Sequence, residues 1–234
     1  MTEFSGIKAE ALWLLAQNKF NNSKEFYEEN KEKINNWVIY PMRQIAAYLS
    51  PYMYNLDSKM NLIPAKMVSR IRRDTRFSKD KTLYREHVWI MFMRPKNLWQ
   101  GYPCLWFEIR PGAYYCGVSY FGATTGLMEV YRRLLLEQSE NFFKAVKSTG
   151  SVGAKYYADT FKREKNPDID DKLKPYYNVK SFYFMIKFND ISPLASNEIL
   201  KDLRKIYKAF SPMYRFLLQA SERYTAISGG DENV

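Results

Sequence analysis

Leu105-Trp106-Phe107-Glu108-Ile109-Arg110-Pro111-Gly112-Ala113-Tyr114-Tyr115-Cys116-Gly117-Val118-Ser119-Tyr120-Phe121 is the stretch that decides the fold. Leu105 to Ile109 and Tyr114 to Phe121 are rich in β-branched and aromatic residues. Pro111-Gly112 between them is a turn pair, because proline presets φ and glycine tolerates the left-handed region. The stretch reads as a β-hairpin. Upstream, His87 to Met93 is almost wholly apolar and reads as a strand covered on both faces. Met67 to Arg73 alternates with period two, which predicts another strand with Val68, Arg70 and Arg72 on one face. Downstream, Phe182 to Ile186 reads as a further strand. Close spacing with short links favours antiparallel pairing over a crossover arrangement.

Helical patterns surround these strands. Ala11, Leu12 and Leu15 share a face of a short first helix for which Ser5 is a cap. Asn21-Asn22-Ser23 breaks it, and Asn22 with Glu25 resembles a capping box. The next helix carries Phe26, Ile34, Trp37, Val38, Ile45 and Leu49 inward, and Pro41 should kink or divide it. Thr124 or Thr125 opens a third helix that buries Leu127, Val130, Tyr131, Leu134, Leu135 and Phe142. Gly150 to Pro175 reads as basic and irregular. Ser192-Pro193 starts a last helix that buries Ile199, Leu203, Ile206, Tyr207 and Phe210, with Pro212 ending or bending it. The fold class that follows is α+β, a single domain over residues 1–225. It has a central, mostly antiparallel sheet packed by several amphipathic helices, and a flexible tail at 226–234.

The 234 residues suffice for a substantial core. Aromatics reach 17%, and most rings fall in periodic apolar segments, so a ring-rich core is expected rather than a stacking surface. The net charge of +11 favours anionic partners, but it is spread along the chain. Lys155 to Lys187 interleaves five acids with its cations and reads as a solvated loop. Two cysteines, Cys104 and Cys116, make neither a disulfide framework nor a zinc site. The start lacks the basic and apolar regions of a secretory signal, and no apolar run is long enough to cross a bilayer. A cytoplasmic location without a membrane partner is expected.

Polar chemistry concentrates in Arg70-Ile71-Arg72-Arg73-Asp74-Thr75-Arg76-Phe77-Ser78-Lys79-Asp80-Lys81, with six cations and two carboxylates. Three readings stay open. In the first, Arg70, Arg72, Arg73, Arg76 and Lys81, with Tyr84 beside them, bind a phosphorylated or otherwise anionic small ligand, since guanidinium forks match such oxygens. Asp74 and Asp80 then orient the arginines. In the second, the cluster contacts nucleic-acid phosphates while Phe77 or Tyr84 stacks on bases. In the third, Asp74 and Asp80 pair with the arginines and wire the loop internally, in a structural or protein-interaction domain.

Catalytic signatures are sparse. No P-loop, dinucleotide glycine fingerprint or nucleophile elbow is present. The chain has one histidine, His87, and no clustered metal ligands, so no metal is assigned; a carboxylate-only magnesium site leaves little trace in sequence. His87, Asp80 and Glu108 are the acid–base candidates near the cluster. A lone histidine at a strand entrance is more often structural. Sequence names no cofactor, no reaction and no oligomeric state.

Arg70 to Lys81, followed by Tyr84 and Arg85, resembles the signature of the family known as domain of unknown function 2461. The short first helix, Asn21-Asn22, the ring pair Phe26-Tyr27, Pro111-Gly112 with Gly117, and Lys162-Arg163 resemble further family features from about Phe4 to Phe210. Leu83 replaces the usual proline, and Phe26-Tyr27 the usual tryptophan-containing pair. The resemblance implies a compact α+β domain and carries no activity.

Overall fold

The computed structural model describes residues 4, 6–95, 98 and 101–228. The expected cap Ser5 and residues 229–234 of the expected tail lie outside the described residues. The fold is α+β with a five-stranded antiparallel sheet in the order β1-β2-β3-β5-β4. The strands are β1 (Val88–Phe92), β2 (Pro103–Arg110), β3 (Ala113–Tyr120), β4 (Lys155–Thr160) and β5 (Val179–Phe188). The β2–β3 hairpin turns at Pro111-Gly112, where Gly112 takes φ 74° in open space. Two compact units divide the chain, with boundaries inside β2, β3 and β5.

The first unit comprises Met1–Phe92, Trp106–Cys116 and Lys187–Lys205. It begins with α1 (Ala9–Asn21) and α2 (Lys24–Ile34). Asn22 ends α1 at φ 47°, and Ser23, not Asn22, caps α2 by accepting from the Phe26 amide at 3.1 Å. Pro41 does not break the long helix, whose backbone stays helical at Ile34, Asn35, Ile39 and Tyr40, but the turn before it is altered. A π-helical turn, Asn35–Ile39, precedes α3 (Tyr40–Leu56), and the Tyr40 amide bonds back to Asn35. Proline has no amide for the Trp37 carbonyl, so the ladder loosens just before it. The extra residue rotates Trp37 out to 44% exposure, against expectation, while Val38, Ile45 and Leu49 are buried. α3 packs on β1 and on the short α4 (Pro64–Met67). Val88, Ile90 and Phe92 point into this core; Trp89 and Met91 are half-buried, so β1 is sealed on one face only.

The second unit comprises Met93–Leu105, Gly117–Ile186 and Ile206–Val234. Thr124 caps α5 (Thr125–Glu137) by accepting from the Leu127 amide. The helix breaks at Gln138, so Phe142 belongs to a separate α6 (Ser139–Gly150). Tyr131, Phe142, Phe182 and Phe216 form one ring cluster. The stretch read as irregular contains β4 and the start of the short α7 (Lys174–Tyr177). β4 pairs along β5, yet its burial shows no apolar alternation, which is why sequence missed it.

Ser192-Pro193 starts a 3-10 turn, Ser192–Ala195, rather than the last helix. That helix, α8 (Glu198–Ser228), runs through Pro212 without ending and covers three residues of the expected tail. The Ser148 and Ser211 hydroxyls donate to the Ala209 and Tyr207 carbonyls at 2.8 Å each, close to where the proline disturbs the ladder. No described helix is long and apolar enough to cross a membrane.

Candidate functional site

The basic cluster forms an irregular hairpin in the first unit. Instead of the expected strand, residues 68–73 make two isolated antiparallel bridges, Val68 with Ile90 and Arg72 with Tyr84. Backbone bonds from Ser69 to Trp89 (2.9 Å), from Arg85 to Ile71 (3.0 Å) and from Arg73 to Leu83 (2.7 Å) hold the two arms. Between the first two bonds one arm contributes only Arg70, the other Glu86, His87 and Val88. The unequal count, three residues against one, breaks the ladder. Glu86 there meets Lys19 at 2.8 Å.

Ile71 is buried, and Arg70 and Arg72 are exposed on the opposite side. Arg73 turns inward and donates to the Asp80 carboxylate, to Thr82 Oγ1 (2.6 Å) and to Ser78 Oγ (3.3 Å). Arg76 closes a fork on Asp74, Nε at 2.9 Å and Nη2 at 2.7 Å, and Lys81 donates to the Thr75 carbonyl. Asp74 and Asp80 are both pulled down to about 2: Asp74 chiefly by the Arg76 side chain, Asp80 by the Thr82 amide and then Arg73. Arg85 spans the arms by donating to the Arg70 and Arg72 carbonyls and lies over Trp89 at 4.9 Å. Among the described residues, no hydrogen bond or ion pair engages the Arg70 or Arg72 guanidinium.

Tyr84 is 2% exposed and stacks on Tyr27 at 4.9 Å; burial raises its hydroxyl. Asn22 Oδ1 accepts from the Leu83 amide at 2.6 Å. Two motifs far apart in sequence, Asn21-Asn22 and Phe26-Tyr27, thus meet at the hairpin arm carrying Leu83 and Tyr84. Phe77 stands out at 95% exposure.

Of the acid–base candidates, the fold brings His87 and Glu108 into one electrostatic neighbourhood, whereas Asp80 is held by Arg73 and Thr82. His87 stacks on Trp89 at 5.4 Å. Burial lowers its imidazole, Glu108 and Glu86 raise it, and Arg110 and Arg85 lower it. Arg110 grips the Glu108 carboxylate and lies over Tyr115 at 4.8 Å. Neutral His87 beside a carboxylate is equipped to accept a proton. The Cys104 and Cys116 thiols are buried, which pushes Cys104 up to about 11 and Cys116 higher. No described group of three histidine, cysteine or acidic residues is arranged to hold a metal ion.

Sequence reading missed Arg132, the largest fully buried side chain, in the second unit. Its Nε and Nη2 donate to the Tyr177 and Val179 carbonyls at 2.9 and 2.6 Å, and Glu129 lies 3.0 Å from Nη1. A signal existed: Arg132 falls on the buried face of α5, four residues after Met128 and three before Leu135.

No curated protein matches the chain. The family described as conserved hypothetical protein (DUF2461) matches residues 10–216, taking in the hairpin, Asn21-Asn22, Phe26-Tyr27 and Arg132, and the chain belongs to this family.

Proposed function

We propose that the protein binds a phosphorylated or otherwise anionic small ligand at the basic hairpin, in a cytoplasmic setting. Arg70 and Arg72 are the direct contacts; Arg73, Arg76 and Lys81, with Asp74 and Asp80, shape the loop that presents them. The observation that carries this reading is the division of labour among the arginines. Arg73 and Arg76 are spent on carboxylates, while Arg70 and Arg72, two positions apart and exposed, have guanidinium forks with no partner among the described residues. Any proton transfer to or from such a ligand falls to His87, with Glu108 beside it. Two free, buried thiols suit a reducing compartment.

The test is a thermal-shift panel of inorganic phosphate, pyrophosphate, nucleotides, sugar phosphates and short oligonucleotides, on wild type and Arg72→Ala. A ligand at a hundred times its Kd adds ~2.7 kcal/mol. That raises the midpoint of a chain this size by roughly 5–10 °C. The expected result is a shift from one compound class, absent in Arg72→Ala, whose unliganded midpoint stays at the wild-type value. Stabilisation by every polyanion that vanishes in salt points instead to nucleic acid.

A second reading, the cluster as internal wiring, is favoured by the three side chains that Arg73 engages. A flat panel together with a lowered unliganded midpoint in Arg73→Ala, which removes those three contacts, selects it.

A further inference from the structure

The two edges of the sheet are finished differently. Beside β1, the arm at residues 68–69 supplies the Val68–Ile90 bridge and the Ser69 amide bond to Trp89. β4 closes the other end of the strand order, and among the described residues no backbone partner reaches it other than β5. A bare edge is a template for another strand. Its regular part is short: pairing with β5 runs from Lys155 to Asp159 before the register shifts between Asp159 and Thr160. Tyr157 is the midpoint of those five residues.

Lys155, Tyr157 and Asp159 alternate along β4 and therefore share one face of the sheet, opposite Met185, Tyr183 and Ser181 of β5. Tyr157 stacks on Tyr183 at 5.1 Å and is 37% exposed. Asp159 meets Lys180 at only 3.6 Å and its side chain stays 64% exposed. The sequence of this edge is self-complementary about Tyr157. In an antiparallel pair centred there, Lys155 faces the partner subunit's Asp159, Asp159 faces the partner subunit's Lys155, and the two Tyr157 rings meet at the axis. Opposite charges directly across an antiparallel pair stabilise it, and like charges oppose it.

We propose that the β4 edge pairs with the β4 edge of a second copy of this chain, antiparallel and centred on Tyr157. The contact continues the sheet across a two-fold axis and extends the Tyr183–Tyr157 stack through the axis to the partner's pair. The same patch on both copies makes the interface closed rather than fibre-forming. A five-residue edge is small beside the roughly 1,200 Å² of a stable interface, so the association is expected to be weak and to show only as protein concentration rises.

Sedimentation equilibrium over a concentration series tests the proposal on the full chain, with the wild type rising from 27.8 kDa toward twice that mass. Asp159→Lys sets cations against Lys155 twice per dimer and is expected to weaken association by roughly tenfold or more. Adding Lys155→Asp reverses both charges and restores it. The double variant keeps the same new cation beside Lys180, so recovery isolates the contact between copies from any effect within one. Tyr157→Cys places two thiols on the axis, where antiparallel Cα atoms lie roughly 4.5–5.5 Å apart, within disulfide reach. Mild oxidation of this variant yields a covalent dimer, while Lys155→Cys, which faces Asp159, does not. The natural cysteines are buried and do not compete. A monomer at every concentration with no cross-link from Tyr157→Cys overturns the proposal. So does a dimer that ignores the charge reversal, or a cross-link formed equally by Lys155→Cys.

Discussion

Replacing Arg132 by methionine removes the most deeply buried charge of the second unit while keeping a side chain of similar length. Arg132 is 2% exposed, donates to two backbone carbonyls that precede and open β5, and lies between the Phe161 and Tyr177 rings at 5.4 and 5.8 Å. Without it, the Tyr177 and Val179 carbonyls lose their guanidinium donors, at about 1–3 kcal/mol for each buried acceptor left unsatisfied. Methionine recovers part of the ring contact, so the net loss is roughly 2–5 kcal/mol, in the range for breaking a buried charged contact. At about 2–4 °C per kcal/mol for a chain of this size, the midpoint falls by roughly 5–20 °C. Urea unfolding followed by fluorescence reads the loss, with an unchanged slope showing that the exposed surface is the same. Arg133→Met, one residue along and exposed, is the control and should stay within about 0.5 kcal/mol of wild type. A loss below about 1 kcal/mol for Arg132→Met refutes the role given to its bonds with the Tyr177 and Val179 carbonyls.

Further outcomes follow from the first unit. Burial holds the His87 imidazole below its ordinary 6.5, with Glu108 pulling it back up. The folded state thus favours neutral His87, so its contribution to stability is present above pH 6.5 and is lost as pH falls through that value toward the folded pKa. As the single histidine, its ring resonance reports directly. It should titrate below 6.5, and lower again in Glu108→Gln; a midpoint above 6.5, or a rise in the variant, contradicts the assignment. Asp74 and Asp80 sit at about 2 against an ordinary 3.8, so the loop's ion pairs are intact above pH 3.8 and fail as pH falls toward 2. Carboxyl carbon shifts measure this. Arg73→Ala should move Asp80 only part of the way back, because the Thr82 amide remains, and should leave Asp74 in place. Gly6→Ala should be far costlier than Gly112→Ala. Both sites have positive φ, but a methyl at Gly6 would lie 2.4 Å from the Ala195 carbonyl oxygen, and one at Gly112 meets nothing. Losses above about 2 kcal/mol and near 1 kcal/mol, respectively, are expected from thermal unfolding, and equal losses would show that the Ala195 approach is relaxed.

What sequence made legible was whatever depended on local chemistry. Pro111-Gly112 named the hairpin, the Thr124-Thr125 pair the start of α5, and Pro41 the place where the long helix is disturbed, because each acts on its own backbone. Elements set by distant partners were illegible. β4 exists because β5 lies beside it, and its exposed, polar face leaves no alternating signal. Pro212 was read as ending or bending the last helix, and the helix does not end there: serine hydroxyls, one of them from α6, supply hydrogen bonds near the disturbed carbonyls. At the candidate site, sequence found the cluster and the two residues, His87 and Glu108, that the fold groups together. It did not show that Tyr84 is a buried anchor against Tyr27, since nothing near Tyr84 in sequence announces α2 as its neighbour.

Six cations and two carboxylates leave four positive charges whatever the pairing, so counting never distinguishes a wired loop from an anion site. The pairing pattern bears on that choice. A loop built only for rigidity has use for Arg73, which holds three side chains, but none for Arg70 and Arg72, whose forks carry no bond among the described residues. Both arginines flank Ile71, which is buried, and their carbonyls are gripped by Arg85. The backbone that carries them is therefore fixed while their side chains remain free. On the proposed reading, an anion must order two long side chains, at about 0.5–1.5 kcal/mol each, before any net affinity appears. Only a ligand that takes paired hydrogen bonds from both forks offsets that, because bidentate charge-assisted bonds are roughly twice as strong as neutral ones. Phosphoryl and carboxylate groups meet this requirement, and simple halides, with no planar pair of oxygens, do not. Chloride should therefore leave the midpoint where it is at concentrations where a phosphorylated ligand raises it; equal shifts from both would reduce the site to a diffuse positive patch.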